Sequence, residues 1–164
     1  MKSENISLTW SEYESSDELL PEDRELIIAA REATENSYAP YSGFHVGAAV
    51  RLENGVIVRG ANIENAAFPS GICAERTALS NSASNYPGIS PEAIAIAART
   101  SDGLTKEPIP PCGNCRQVIA EEEFRNGKNI KVILSGNSKI IIIDKGSDLL
   151  PLQFNRNNLS SNPL

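Results

Sequence analysis

Ile72-Cys73-Ala74-Glu75-Arg76 and, farther along, Pro111-Cys112-Gly113-Asn114-Cys115 decide how this chain is read, because between them they hold all three of its cysteines. Phe68-Pro69-Ser70-Gly71 breaks the chain before the first stretch. A helix is expected from Cys73 to about Ser82, with Ala74, Ala78 and Leu79 on its inner side. Pro111 is expected to start another helix, in which Cys115, Val118 and Ile119 fall at i, i+3, i+4 spacing. Both cysteine stretches therefore sit at helix starts, where free N–H groups and the positive end of the helix dipole favour thiolate over thiol.

Outward from these helices, Ala93 to Ala98 reads as a short apolar strand covered on both faces. Upstream, Pro21 at a first helical position, Glu22 and Asp23 in the first turn, and an apolar face of Leu26, Ile27, Ala29, Ala30 and Ala33 predict a helix ending near Asn36. The loop Tyr38-Ala39-Pro40-Tyr41-Ser42-Gly43 leads into Phe44, Val46, Ala48, Val50 and Leu52, a period-2 strand. Asn54-Gly55 marks a tight hairpin, Val56 to Ala61 is the return strand, and Asn62-Ile63-Glu64-Asn65 clusters polar side chains at its end.

Downstream, Ser101 to Pro110 is a loop, Ile130 to Leu134 and Ile140 to Ile143 are two more strands, and Ser147 to Leu150 is a helical turn. Helices interleaved with strands in this order give the α/β class, a three-layer α/β/α sandwich about a central five-stranded mixed sheet. Residues 1–20 read as an N-terminal extension, whose weak alternation through Ile6, Leu8 and Trp10 suits one added strand. Residues 21–159 make one domain and 160–164 a tail.

A chain of 164 residues, 40% hydrophobic, has room for one core and not two. Its opening residues lack a signal-peptide pattern and no apolar run approaches the roughly 20 residues that span a membrane, so a cytoplasmic protein without a membrane partner is expected. The net charge of −6 argues against nucleic acid, whose binders present a basic face, and suits a small neutral ligand.

An odd number of cysteines, two of them in a C-x-x-C step, reads as metal-binding or redox-active rather than as a disulfide framework. Three thiolates with an open fourth position form a catalytic zinc arrangement, since a structural site is normally closed by a fourth ligand. Glu75, two residues from Cys73, is placed as a proton carrier for a water-activating zinc site. Three thiolates also overload the metal with negative charge; Arg76, on the same helical face as Cys73, is placed to offset it. His45, the one histidine, reads as an ordinary strand residue.

C-A-E followed by P-C-x-x-C resembles the zinc nucleoside and nucleobase deaminases. Tyr41-Ser42, Phe44-His45-Val46-Gly47-Ala48-Ala49, Asn62-Ile63-Glu64-Asn65-Ala66, Gly71-Ile72-Cys73-Ala74-Glu75-Arg76-Thr77-Ala78, Pro111-Cys112-Gly113-Asn114-Cys115-Arg116-Gln117-Val118 and Leu149-Leu150-Pro151 narrow this. They look like the small, homotetrameric, all-cysteine cytidine deaminases. That resemblance implies a cytidine-deaminase-like fold, with residues 21–159 as the catalytic domain, and hydrolytic deamination of cytidine and deoxycytidine in pyrimidine salvage. It also implies one Zn2+ per subunit on Cys73, Cys112 and Cys115, and proton transfer by Glu75.

For the substrate, the resemblance implies that Phe44 stacks on the pyrimidine and that Asn62 and Glu64 hold the ribose 3'-hydroxyl. The Ala74 amide would bind the O2 oxygen, and the Pro110 carbonyl would accept from the 4-amino group. Sites would be completed by neighbouring subunits of a homotetramer, to which Phe68 and Phe154 would reach. Related enzymes often have a tyrosine where Phe68 stands, and a phenylalanine, glycine, proline run where this chain has Phe154-Asn155-Arg156. Two other readings compete: the same chemistry on a related aminopyrimidine nucleoside such as blasticidin S, and a non-enzymatic zinc or redox module.

Overall fold

The computed structural model describes residues 1–159, so the tail expected at 160–164 lies outside them. Three helices form, α1 over Pro21–Ala33, α2 over Ala74–Asn85 and α3 over Gly113–Asn126. Pro21 stands at the start of α1 with Glu22 and Asp23 in its first turn, as the pattern predicts, and a short 3-10 turn carries the chain on to Asn36. α3 ends where Gly127 takes a left-handed conformation, φ 64°, and its N–H turns back to the Glu123 carbonyl. The third helix starts two residues later than Pro111 suggests, because Cys112 remains extended and becomes the residue before the first turn.

The sheet has seven strands, two more than the five expected. In chain order these are β1 (Ser11–Tyr13), β2 (His45–Leu52), β3 (Ile57–Ala61), β4 (Pro91–Thr100), β5 (Gly103–Leu104), β6 (Lys131–Ser135) and β7 (Ile140–Ile143). The additions are β1 and β5. β1 follows the Ile6, Leu8, Trp10 alternation rather than containing it, and pairs antiparallel with β7, so that β1 forms the edge of the sheet. β5 folds straight back onto β4 through Gly103. Elements of two or three residues are too short to leave a readable period.

The strand order is β1-β7-β6-β4-β2-β3, with β5 beside β4. Only β4 and β6 run parallel, and α3 lies on the connection between them, as a parallel pair requires. β4 divides its side chains between two cores. Ile94 and Ile96 face α2 and α3 with Ala78, Leu79 and Ile119, while Ala93, Ala95 and Ala97 lie under α1 against Leu26, Ile27 and Ala30. Both faces are thus covered, which makes the three layers.

Gly60 on β3 sets how closely α2 approaches. A Cβ there would lie 2.4 Å from the Ala78 nitrogen and 2.5 Å from the Ala74 oxygen, so only glycine admits the helix at this depth. This contact fixes the first turn of α2, the turn that begins at Cys73.

Candidate active site

Cys73 and Cys112 occupy equivalent places, each in extended backbone immediately before a helix, and neither side chain caps its helix. Their sulfurs stay available, and the two helix starts converge. The Sγ atoms of Cys73 and Cys112 are 3.8 Å apart, those of Cys112 and Cys115 3.5 Å, and all three lie within 4.8 Å of one another. A zinc ion about 2.3 Å from each of three sulfurs at tetrahedral angles sets them about 3.8 Å apart, so donor type and spacing both fit zinc.

The three thiols share their protons unequally. A hydrogen bond from Cys115 brings the Cys73 thiol down to about 6, and the Arg76 charge adds a smaller effect in the same direction. Cys115, donor in that bond and buried, is pushed up. Cys73 is therefore the first thiolate, the form that holds metal. Arg76 acts by charge alone: among the described residues it makes no hydrogen bond to a sulfur.

Glu75, one residue into α2, is 4% exposed, and its burial raises its carboxyl pKa above the ordinary value. A carboxyl poised in this way gains and releases a proton more easily near neutral pH than a solvated one. The Ala74 N–H beside it belongs to the first turn and has no intrahelical acceptor, which leaves it free for a ligand.

Cys73, Ala74, Glu75 and Cys112 open into a cleft of about 450 Å³. Phe44, Asn62, Glu64, Phe68 and Pro110 also line it, so nine of the residues singled out in the sequence meet in one cavity of ordinary small-molecule size. Cys115 is buried behind the cleft while remaining in the sulfur cluster. Arg76 and Phe154 do not line it. Phe154 is exposed, and its carbonyl accepts from Gln117 Nε2 at 2.7 Å, which ties the C-terminal segment to α3 two residues after Cys115.

The polar wall of the cleft is built by lacing the loop after α1 to the end of β3. Tyr38 N–H donates to the Asn62 carbonyl at 3.0 Å and Glu64 N–H to the Tyr38 carbonyl at 2.8 Å. Glu64 Oε2 accepts from the Tyr41 and Ser42 amides at 2.8 and 3.3 Å. Hydrogen bonds from Ser42 and from the Tyr41 amide hold the Glu64 carboxyl below the usual carboxylate range, so it stays an acceptor. Asn62 Nδ2 donates to the Phe44 carbonyl at 3.0 Å and its Oδ1 accepts from Val46 N–H at 2.7 Å, which fixes the aromatic residue beside it.

The sequence assigns no role to several contributors, although Tyr41 and Arg116 stand in stretches that carry the resemblance. Tyr41 meets Phe68 edge to face, centroids 5.9 Å apart, at the cleft mouth. Ile96, in mid-strand, forms part of the lining. Arg116 donates to the Pro111 carbonyl at 2.9 Å and the Leu149 carbonyl at 3.1 Å, pinning the loop that presents Cys112. An arginine directly after Cys115 is visible in the sequence, but its carbonyl partners are set by the fold.

The family described as Cytidine and deoxycytidylate deaminase zinc-binding region matches residues 20–128, a span that includes the whole sulfur cluster. Cytidine deaminase of Halalkalibacterium halodurans is 43% identical over 133 residues, covering 80% of this chain and 94% of that protein. Cytidine deaminase of Sporosarcina psychrophila is 43% identical over 136 residues, 82% of this chain and 93% of that protein. Among solved structures, a crystal structure of cytidine deaminase from Burkholderia pseudomallei is 41% identical with a TM-score of 0.68, covering 79% of this chain and 97% of that one. With cysteine spacing, cleft and fold in agreement, this chain belongs to the cytidine and deoxycytidylate deaminase family and carries its zinc-binding region.

Proposed function

We propose that this protein deaminates cytidine and deoxycytidine hydrolytically, giving uridine or deoxyuridine and ammonia. The observation that carries the proposal is a single cleft lined by the buried Glu75, by Cys73 and Cys112 of the sulfur cluster, and by Phe44, Asn62 and Glu64. Cys73, Cys112 and Cys115 would hold a zinc ion, and the chemistry it would supply is the activation of a water molecule for attack at the pyrimidine C4.

This chain's own residues do the rest. Glu75 moves two protons in turn, the first from the attacking water to N3, where it stays, and the second from the added hydroxyl to the departing amine, which leaves as ammonia; its burial keeps bulk water from competing for them. Phe44 stacks on the base, the Ala74 N–H donates to O2 and the Pro110 carbonyl accepts from the 4-amino group. Asn62 donates to the ribose 3'-hydroxyl and ionised Glu64 accepts from it. Arg76 offsets the negative charge of three thiolates.

Among the described residues the lining contains glutamates but neither lysine nor arginine, which favours a free nucleoside over its phosphate as substrate. Residues 21–159 act as the catalytic domain and 1–20 as an extension. A homotetramer, in which Phe68 and Phe154 reach adjoining sites, accounts for their exposure of 75% and 57%. No helix of the described residues is long and apolar enough to cross a membrane, in keeping with work on small nucleosides in the cytoplasm.

Ammonia release with cytidine, deoxycytidine, deoxycytidine monophosphate and blasticidin S tests substrate class. Turnover of the first two and not of the others is expected. Preference for blasticidin S would replace the reading with its nearest competitor. Light scattering is expected to give four times the 17.7 kDa chain mass.

A further inference from the structure

Asn62 is held on three sides. Its Oδ1 accepts from the Val46 N–H at 2.7 Å and from Ser37 Oγ at 2.6 Å, while its Nδ2 donates to the Phe44 carbonyl at 3.0 Å. Reversing the amide would set two donors face to face at Val46 and two acceptors at Phe44, so its orientation is unique. One Nδ2 hydrogen is spent on Phe44, and the other is what Asn62 offers to the cleft.

Ser37 has a single hydroxyl proton, and the 2.6 Å contact with an amide oxygen requires that proton to point at Asn62. Ser37 Oγ also lies 3.1 Å from His45 Nδ1. Since the serine proton is committed, the histidine must be the donor there. An unprotonated Nδ1 would instead draw the serine proton away and leave Ser37 Oγ and Asn62 Oδ1 as two facing acceptors.

His45 reaches this position from β2, where it pairs with Arg99, and Arg99 is engaged by Glu35. His45 and Ser37 line a separate cleft of about 530 Å³ that does not include Asn62. The chain His45 to Ser37 to Asn62 thus runs from outside the substrate cleft to its wall.

We infer that His45 is a positioning residue: its Nδ1–H donates to Ser37, which donates to Asn62, and so fixes the amide that anchors the substrate ribose. The inference rests on the assignment of Asn62 to the 3'-hydroxyl. An anchor made equally in ground and transition states changes KM and leaves kcat alone.

Three variants separate this from a role in folding. His45→Asn places a donor where Nδ1 was, His45→Phe keeps a ring without one, and His45→Asp puts an acceptor there with nearly the shape of asparagine. The expected KM for cytidine is within about twofold of the parent for Asn, raised about threefold for Phe and about tenfold for Asp, with kcat within about twofold throughout. With 2',3'-dideoxycytidine, which lacks the 3'-hydroxyl, all three are expected to match the parent.

Equal KM values for the Asn and Asp variants, or a KM for the dideoxynucleoside that rises in step, would overturn the inference. Because the chain has one histidine, its ring tautomer can be read without assignment by 15N NMR of the zinc-loaded protein at a pH where the ring is neutral. The Nδ1-protonated form is expected, and the Nε2-protonated form refutes the hydrogen-bond chain. A parent protein that deaminates none of these nucleosides would instead overturn the proposed function, and the tautomer would still decide the positioning claim.

Discussion

Gly60 on β3 and Ala74 on α2 approach so closely that a Cβ at residue 60 would stand 2.5 Å from the Ala74 carbonyl oxygen. Ala74 lies between Cys73 and Glu75, so one sheet–helix contact positions a candidate metal ligand and a candidate proton carrier together. Gly60→Ala must push the first turn of α2 outward. A loss of about 1–3 kcal/mol in stability is expected. Zinc per chain should fall with it, which thermal unfolding and metal analysis of the same sample would check.

Glu75 is the residue to which the proposed function gives a chemical task rather than a structural one. Glu75→Gln keeps its shape and is expected to lower turnover by about 10²–10⁴-fold while zinc content and Tm hold. Loss of zinc in step with activity would show that Glu75 supports the metal and not the proton transfer.

Glu123 is buried at 6% exposure, and its carboxylate accepts from the Ile130, Gly146 and Ser147 amides at 2.7, 2.8 and 3.1 Å. It ties the end of α3 to the segment before β6 and to the turn after β7, and it does not line the cleft. Glu123→Ala strands three donors, two of them buried and one half-buried, and a loss of about 3 kcal/mol in denaturant unfolding is expected. Glu123→Gln should recover only part of this, because its amide nitrogen cannot accept.

Glu122 behaves in the opposite sense. Burial raises its carboxyl pKa, against the charge of Arg125 beside it. A raised carboxyl takes its proton more readily in the fold than in the unfolded chain. Its contribution is therefore full below the unfolded value, about 4.3, and is lost as pH rises through the folded value. Glu122→Gln, uncharged throughout, is expected to raise Tm by roughly 1–2 °C at neutral pH and to leave it unchanged near pH 4. A gain of equal size at both pH values would contradict this origin.

The contrast between these residues explains what the sequence could convey. Pro21 with its acidic first turn, Asn54-Gly55, and the cysteines before two helices are local signals, and the structure places elements where they point. Ala93 to Ala98 reads as a strand covered on both faces because its residues are uniformly apolar, yet the division of alanines under α1 from isoleucines under α2 and α3 depends on those helices being there. β1 and β5 are set by pairing partners and by Gly103 rather than by their own residues.

The site divides in the same way. Cys73, Glu75, Cys112 and Cys115 are legible because metal and proton chemistry demand particular residue types at short spacing. Ser37, His45 and Arg116 are ordinary polar residues whose meaning lies in partners across the fold, at Asn62, Ser37 and Leu149. No periodicity encodes such pairs.

The central claim is that the sulfur cluster holds a zinc ion serving Glu75 in a nucleoside cleft. Its most direct test is zinc per chain measured together with ammonia release from cytidine, before and after a chelator and again after zinc is restored. One zinc per chain, ammonia matching uridine mole for mole, loss on chelation and recovery with zinc are expected. A folded, zinc-loaded protein that leaves cytidine unchanged would contradict the account.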